Sequence, residues 1–224
     1  VKAILIRKYG GPEVLEIADV PAPKPKDGEV VIKVAATSVN PVDWLVRDGG
    51  AKSFVKVTFP VILGCDLAGT VVEVGGGVKR FAVGDEVFAM MAHDWGAHAE
   101  RVALAENLVV KKPEGLSMIE AASLPVVAMT AWLGLKKGGI VGRGERVLVN
   151  GASGASAYLP CRSRRRSVHP SPRCVQAAAS RWSNASGQTE RSTTPPPTSL
   201  RRTSDTIASW TWSVASLARH VCAF

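Results

Sequence analysis

Up to Pro113, the chain alternates between short apolar stretches and glycine or proline turns, the pattern of a small all-β unit. Residues 1–9 read as a strand closed by Gly10-Gly11-Pro12. A proline-rich connector from Pro21 to Pro25, with Asp27-Gly28, leads into the alternating strand Glu29–Ala36, which Asn40-Pro41 ends. Asp43–Arg47 reads as a short helical turn. Gly64-Cys65-Asp66 precedes a strand over Ala68–Val74, and the Gly75-Gly76-Gly77 turn gives way to Val78–Phe81. Val83–Glu86 turns into Val87–Met91, Gly96–Ala103 alternates again, and Leu108–Lys111 is a short strand before Pro113. Strands of this number and spacing predict a compact β-barrel of about 110 residues.

The period then changes. Ser117–Leu124 and Val126–Leu135 carry apolar residues at helical spacing, with Pro125 between them. Glu145–Val149 is a strand running into Gly151-Ala152-Ser153-Gly154. A strand entering a glycine turn opens a mononucleotide-binding βαβ unit, in which the backbone approaches a pyrophosphate and the next helix N-terminus accepts its charge. The printed chain breaks that motif, because Ala155, Ser156 and Ala157 stand where a further glycine is expected.

Charge sharpens the break. The net +9 of the 224 residues is uneven: residues 1–155 hold 18 Lys or Arg against 17 acids, whereas residues 156–224 hold 10 Arg, no Lys and 2 acids. Those last residues include 13 Ser, 7 Thr and 6 Pro with one Gly and one Ile, a composition that does not supply a packed core. Arg162 and Arg164 to Arg166 raise the reading of a basic tail on nucleic acid, but no aromatic residues interleave with them as a stacking groove requires. Arg, Ser, Pro and Thr without Lys is also what a GC-rich gene gives when translated one base off. Read from the last base of the Ala155 codon, permitted codons turn 156–175 into VGIPAVQIAKAFGASVTAVC and 177–189 into GGRIEVVKRLGAD. Residues 192–199 become IDYAAADF and 206–215 become YDRVVDVVGG. These strings carry the helix and strand periods that the printed tail lacks. The expectation is a register slip near codon 155, with 156–224 an out-of-frame tail that is disordered or misfolded.

Several motifs together resemble one family. GGPEVLEIADVPAPKPKDGEVVIKVAATSVNPVDWLVRDG, ILGCDLAGTVVEVGGGV, FAVGDEVFA, WGAHAERVAL, LPVVAMTAWLGL and RVLVNGASG are similar to segments of the medium-chain dehydrogenase/reductase family, in its zinc-free, zeta-crystallin-like quinone oxidoreductase branch. The resemblance implies a GroES-like β-barrel N-terminal domain over 1–122. It further implies a linking helix, first strand and glycine loop of an α/β Rossmann domain over 123–155. NADPH would lie between the domains and deliver hydride to a quinone or another activated double bond. Intact relatives are expected to be cytoplasmic homodimers or homotetramers.

Carried over residue by residue, Asn40 falls near the nicotinamide ribose and substrate, and is the candidate catalytic residue. Asp43 falls on a structural hydrogen-bond acceptor, and Thr130 on a nicotinamide contact. Val149, Gly151, Ala152 and Gly154 fall on the dinucleotide strand and loop. Leu45 stands where some members place a tyrosine. Asn40 or a backbone donor would stabilise a developing oxyanion. The zinc-dependent branch has Cys at Asn40 and Gly-His-Glu at Gly64-Cys65-Asp66, so no metal is expected. Cys65 is then a buried small side chain, and His93 and His98 are surface or cleft residues. The corrected second strand ends without an acid, which favours NADPH over NADH. No export leader and no apolar run of transmembrane length is present in the sequence given, so neither export nor a membrane partner is expected.

As printed, the chain is expected to be poorly folded beyond about residue 145, to bind no NADPH and to be an inactive, truncated version of the reductase. The competing expectation is a non-catalytic barrel interaction fragment whose basic tail binds nucleic acid non-specifically, with salt-dependent affinity.

Overall fold

In the computed structural model, residues 1–53, 55–91, 95–137, 148–150 and 175–177 are described. Two compact units are present: one holds Val1–Thr130, and the second begins at Ala131.

In the first unit, β1 (Lys2–Ile6) pairs antiparallel with β2 (Glu16–Asp19) and β4 (Val61–Ile62). A five-stranded antiparallel sheet has the order β7 (Arg101–Ala105), β3 (Glu29–Thr37), β5 (Asp66–Val74), β6 (Glu86–Met90), β8 (Val109–Lys111). An isolated bridge between Ala3 and Ala99, with Ile4 N–H donating to the His98 carbonyl at 2.8 Å, ties the two sheets together. The strand periods explain the curl. Val30, Ile32, Leu67, Val71, Val87, Ala89, Val102, Leu104 and Val109 converge in one buried cluster, while intervening positions such as Lys33, Glu73 and Lys111 are polar. This is the barrel that the sequence pattern predicts.

Within it, β3 and β5 approach closely at Gly69, where an added Cβ would collide with the Lys33 carbonyl oxygen. That residue must lack a side chain for the ladder to keep the bulge between Val34 and Ala36.

Two details differ from the sequence expectation. β2 is a strand that apolar alternation does not reveal, because three of its four side chains are exposed and it stands at a sheet edge. Val78–Phe81 forms no strand; Phe81 is instead anchored in the main buried cluster.

Helix α1 (Pro41–Asp48) follows β3 and buries Val42, Asp43 and Val46. Helix α2 (Met118–Ala122) presses Ala121 and Ala122 against Ala68 of β5. Helix α3 (Pro125–Lys137) starts after it, and the division between the units falls inside α3.

In the second unit, β9 (Leu148–Asn150) pairs in parallel with β10 (Val175–Ala177), in the register Val175 with Leu148, Gln176 with Val149, and Ala177 with Asn150. The sequence reading left β9 without a partner. The structure gives it one from the arginine-rich tail, through a short Val-containing run with neither Pro nor Gly. Gly151, Ala152 and Gly154, and most of the expected out-of-frame tail, lie outside the described residues, as does His93.

Candidate functional site

Among the described residues, the buried polar ones are few: Asn40, Asp43, Asp66 and Thr130. Three of them meet at one place, where the end of β3, the start of α1 and the start of β5 converge. Pro41 at the first helical position forces Asn40 into an extended N-cap conformation. The Asn40 backbone N–H donates to Asp43 Oδ2 at 2.6 Å, the acidic half of a capping box. Asp43 Oδ1 also accepts from Cys65 Sγ at 3.5 Å. Asp43 thus fills the structural acceptor role that the resemblance implies.

The Asn40 side chain turns the other way. Its Nδ2 donates to Asp66 Oδ2 at 2.9 Å and to Ser38 Oγ at 3.0 Å, and Ser38 Oγ donates to the same Asp66 oxygen at 2.7 Å. The other Asp66 oxygen, Oδ1, accepts from the backbone N–H of Val126 at 2.9 Å, in the first turn of α3. Thr37 Oγ1 donates to the Asp66 carbonyl at 2.7 Å, and His98 Nε2 lies 3.1 Å from the Ser38 carbonyl.

The approach to this cluster is set by Gly64, at φ +102°, where an added Cβ would lie 2.7 Å from the His98 backbone nitrogen. A residue with a side chain would push His98 away and shift Cys65 and Asp66 with it. Cys65 itself is buried immediately before β5, as expected. Leu45 is packed on the smaller core cluster around Val42 and Val46.

Burial governs the charges. Desolvation raises the carboxyl pKa of both Asp43 and Asp66. For Asp43 the Asn40 N–H and His98 pull it back. For Asp66 the donors Asn40, Ser38 and Val126 do so, while the Asp43 charge adds to the rise.

Thr130 stands one turn beyond Val126 on α3, so the two residues share a helix face. Its Oγ1 is buried and has no hydrogen-bond partner. A buried hydroxyl without a partner is uncommon, and a water or a ligand group would satisfy it. Among the described residues, no group of three or more His, Cys, Asp or Glu side chains could hold a metal ion.

The sequence reading places Asn40 and Asp43 together here but misses Asp66 and Ser38. Asp66 was weighed only as the counterpart of a zinc-branch glutamate. Its signal was present: an acid opening a strand whose next residues, Leu67 and Ala68, are apolar and buried.

Residues 26–114 match the alcohol dehydrogenase GroES-like domain. The barrel therefore is a GroES-like domain of the alcohol dehydrogenase kind. The chain is 43% identical over 164 residues to a chloroplast envelope quinone oxidoreductase homolog of Arabidopsis thaliana, covering 70% of this chain and 50% of that protein. It is 40% identical over 162 residues to a quinone oxidoreductase of Sus scrofa, with 72% and 48% covered. Among solved structures, the quinone oxidoreductase from Coxiella burnetii superposes with a TM-score of 0.66 at 33% identity, over 70% of this chain and 51% of that one. The Escherichia coli quinone oxidoreductase complexed with NADPH gives 0.66 at 26% identity, over 74% and 49%. The chain is thus similar to quinone oxidoreductases of the medium-chain dehydrogenase/reductase family, and it spans about half the length of the curated relatives it matches. No described helix is long and apolar enough to cross a membrane.

Proposed function

We propose that this chain carries the barrel half of an NADPH-dependent, quinone reductase-like oxidoreductase, and that a register slip near codon 155 separates it from the working enzyme. One observation carries the first part: the buried, unpartnered Thr130 hydroxyl stands one turn from Val126, whose N–H is tied through Asp66 to Asn40. An orphaned hydroxyl beside a fixed amide is what a nicotinamide end would meet on the barrel side. The second part rests on the tail composition and on the relatives, which match about 70% of this chain but only half of their own length.

Asn40 and Thr130 would hold the nicotinamide end, and Gly151, Ala152 and Gly154 the phosphates. When bound, the cofactor supplies the hydride. The chain's own part is positioning: Asn40, Asp66 and Ser38 form a pre-bonded wall that does not reorganise when a substrate arrives. The acceptor would be a quinone or enone. The relatives include proteins named for the chloroplast and for the mitochondrion. The complete enzyme would be a homo-oligomer, and nucleic acid is not its partner.

Sequencing the gene across codons 153–158 tests the slip, and a base lost there is the expected result. Uninterrupted DNA in the printed frame, together with a tail that binds nucleic acid in a salt-dependent way, would overturn it.

A further inference from the structure

The segment that delivers Asn40 is held by hydrogen bonds rather than by packing. The β3–β5 ladder ends with Thr37 opposite Leu67, and α1 begins at Pro41, so residues 38–40 lie between the two elements. Val39, in the middle, has its side chain in solvent, so it gives the segment no apolar anchor. Thr37 Oγ1 and Ser38 Oγ tie the near end to Asp66, at 2.7 Å each. The Ser38 carbonyl is held from a different part of the chain, with His98 Nε2 3.1 Å from it. Thr37 Oγ1 also lies 3.5 Å from that carbonyl, but its single hydrogen goes to the much closer Asp66 carbonyl.

A carbonyl oxygen has no hydrogen to give, so His98 Nε2 must donate. The neutral ring is therefore the Nε2–H tautomer. Nδ1 is the nitrogen that gains and loses a proton, and the bond to Ser38 persists in either charge state.

The ring is itself fixed. The His98 N–H donates to the Leu63 carbonyl at 2.9 Å, and the His98 carbonyl accepts from the Ile4 N–H at 2.8 Å. The ring lies in the room left by the missing side chain of Gly64, where an added Cβ would run into Cδ2 and Cγ. A donor already bonded to two backbone segments and packed on a third has little freedom left to lose in holding Ser38.

We propose that His98 is a positioning residue: through its Nε2–H it holds the Ser38 carbonyl, and so sets the segment on which Asn40 is presented to a ligand. That Asn40 meets a ligand rests on the reductase reading. The hold on the segment does not.

The test uses the full chain, labelled with ¹⁵N and without cofactor, followed by NMR. The ring nitrogen shifts should report the Nε2–H tautomer in the neutral form. Amide exchange then separates the donor from the bulk of the ring. His98→Phe keeps a ring over Gly64 and removes the donor. The Asn40 N–H, bonded to Asp43, should then exchange roughly five- to tenfold faster, the change expected when one hydrogen bond is lost. The Ile4 N–H, bonded to the His98 backbone, should stay within about twofold of the parent, because that staple is untouched. His98→Gln places an amide N–H where Nε2 stood and should bring Asn40 back to within about twofold of the parent. If the phenyl ring prevents folding, His98→Ala against His98→Gln makes the same comparison. An Nδ1–H tautomer, Asn40 exchange unmoved by loss of the donor, equal acceleration at Asn40 and Ile4, or no recovery with glutamine would each overturn the proposal. The readout involves no cofactor, so its failure is separate from failure of the reductase reading.

Discussion

The two units of this chain differ in how far their residues agree with one another. In the first, the strand periods, the glycines at close approaches, the capping residues and the buried polar cluster all support the same barrel. In the second, the described pairing is three residues against three, β10 beside β9. A fold is specified when local preference, pattern and packing coincide, and the difference between the units is a difference in that coincidence. The charge changes further along the chain: the near-neutral balance of 1–155 gives way to an arginine-only excess over 156–224.

The strongest way to break this contrast is to restore the reading frame after codon 155. The printed chain should show no NADPH binding at about 1 mM. The restored chain should bind at roughly micromolar concentration, about a thousandfold tighter, because the glycine loop then has a helix to complete it. Titration followed by nicotinamide fluorescence reads both. Equal affinity in the two chains would mean that the tail, as printed, builds a cofactor crevice of its own.

Next comes stability within each unit. Leu67 is fully buried in the main cluster, and Leu67→Ala should lower the unfolding free energy by about 2–5 kcal/mol. Gln176→Pro, which takes a backbone N–H out of β10, should move the same denaturant transition by less than about 0.5 kcal/mol. A large effect from Gln176→Pro would show that the barrel depends on the tail.

Legibility in the sequence follows the same line. The barrel strands were readable because burial on one face leaves alternation, as in Val30, Ile32 and Val34 against Lys33. β2 was not, because an exposed edge strand has no apolar face to alternate. Asn40 and Asp43 were readable through Asn-Pro and the acid three residues on, a helix-start signal. Asp66 and Ser38 were not, because their meeting with Asn40 depends on the antiparallel register of β3 and β5, which pairs Thr37 with Leu67. Thr130 joined through family likeness alone; nothing in its local sequence marks a buried hydroxyl. β10 escaped because three residues are too few to carry a period.

A smaller effect separates the buried carboxylates from the surface ones. Burial raises the pKa of Asp43 and Asp66, so the folded unit keeps protons that the unfolded chain has released. Their contribution is therefore intact below the ordinary carboxylate range and is lost as pH rises through the raised folded values. Glu13, Asp85, Glu106 and Glu120 are lowered by hydrogen bonds to backbone N–H groups, so their contribution is lost in the opposite direction, as pH falls through the lowered values. Thermal midpoints between about pH 4 and pH 8 should show the first loss in the parent chain and a flatter curve in Asp43→Asn. An identical slope in the variant would remove Asp43 from the account.

The mildest change tests whether the barrel unit extends as far as α2. That helix has only five residues, too few to persist by its own backbone hydrogen bonds. Two things hold it: Ala121 and Ala122 packed on Ala68, and a capping box at its start. Ser117 Oγ accepts from the Glu120 N–H at 3.2 Å, and Glu120 Oε2 accepts from the Ser117 N–H at 2.8 Å. Ser117→Ala removes the hydroxyl half and should cost about 1 kcal/mol. Because α2 packs on β5, that loss should appear in the single cooperative transition that Leu67→Ala also shifts. If hydrogen exchange instead shows α2 opening alone while the barrel melts as before, the boundary of the cooperative unit lies before Ser117 and not inside α3.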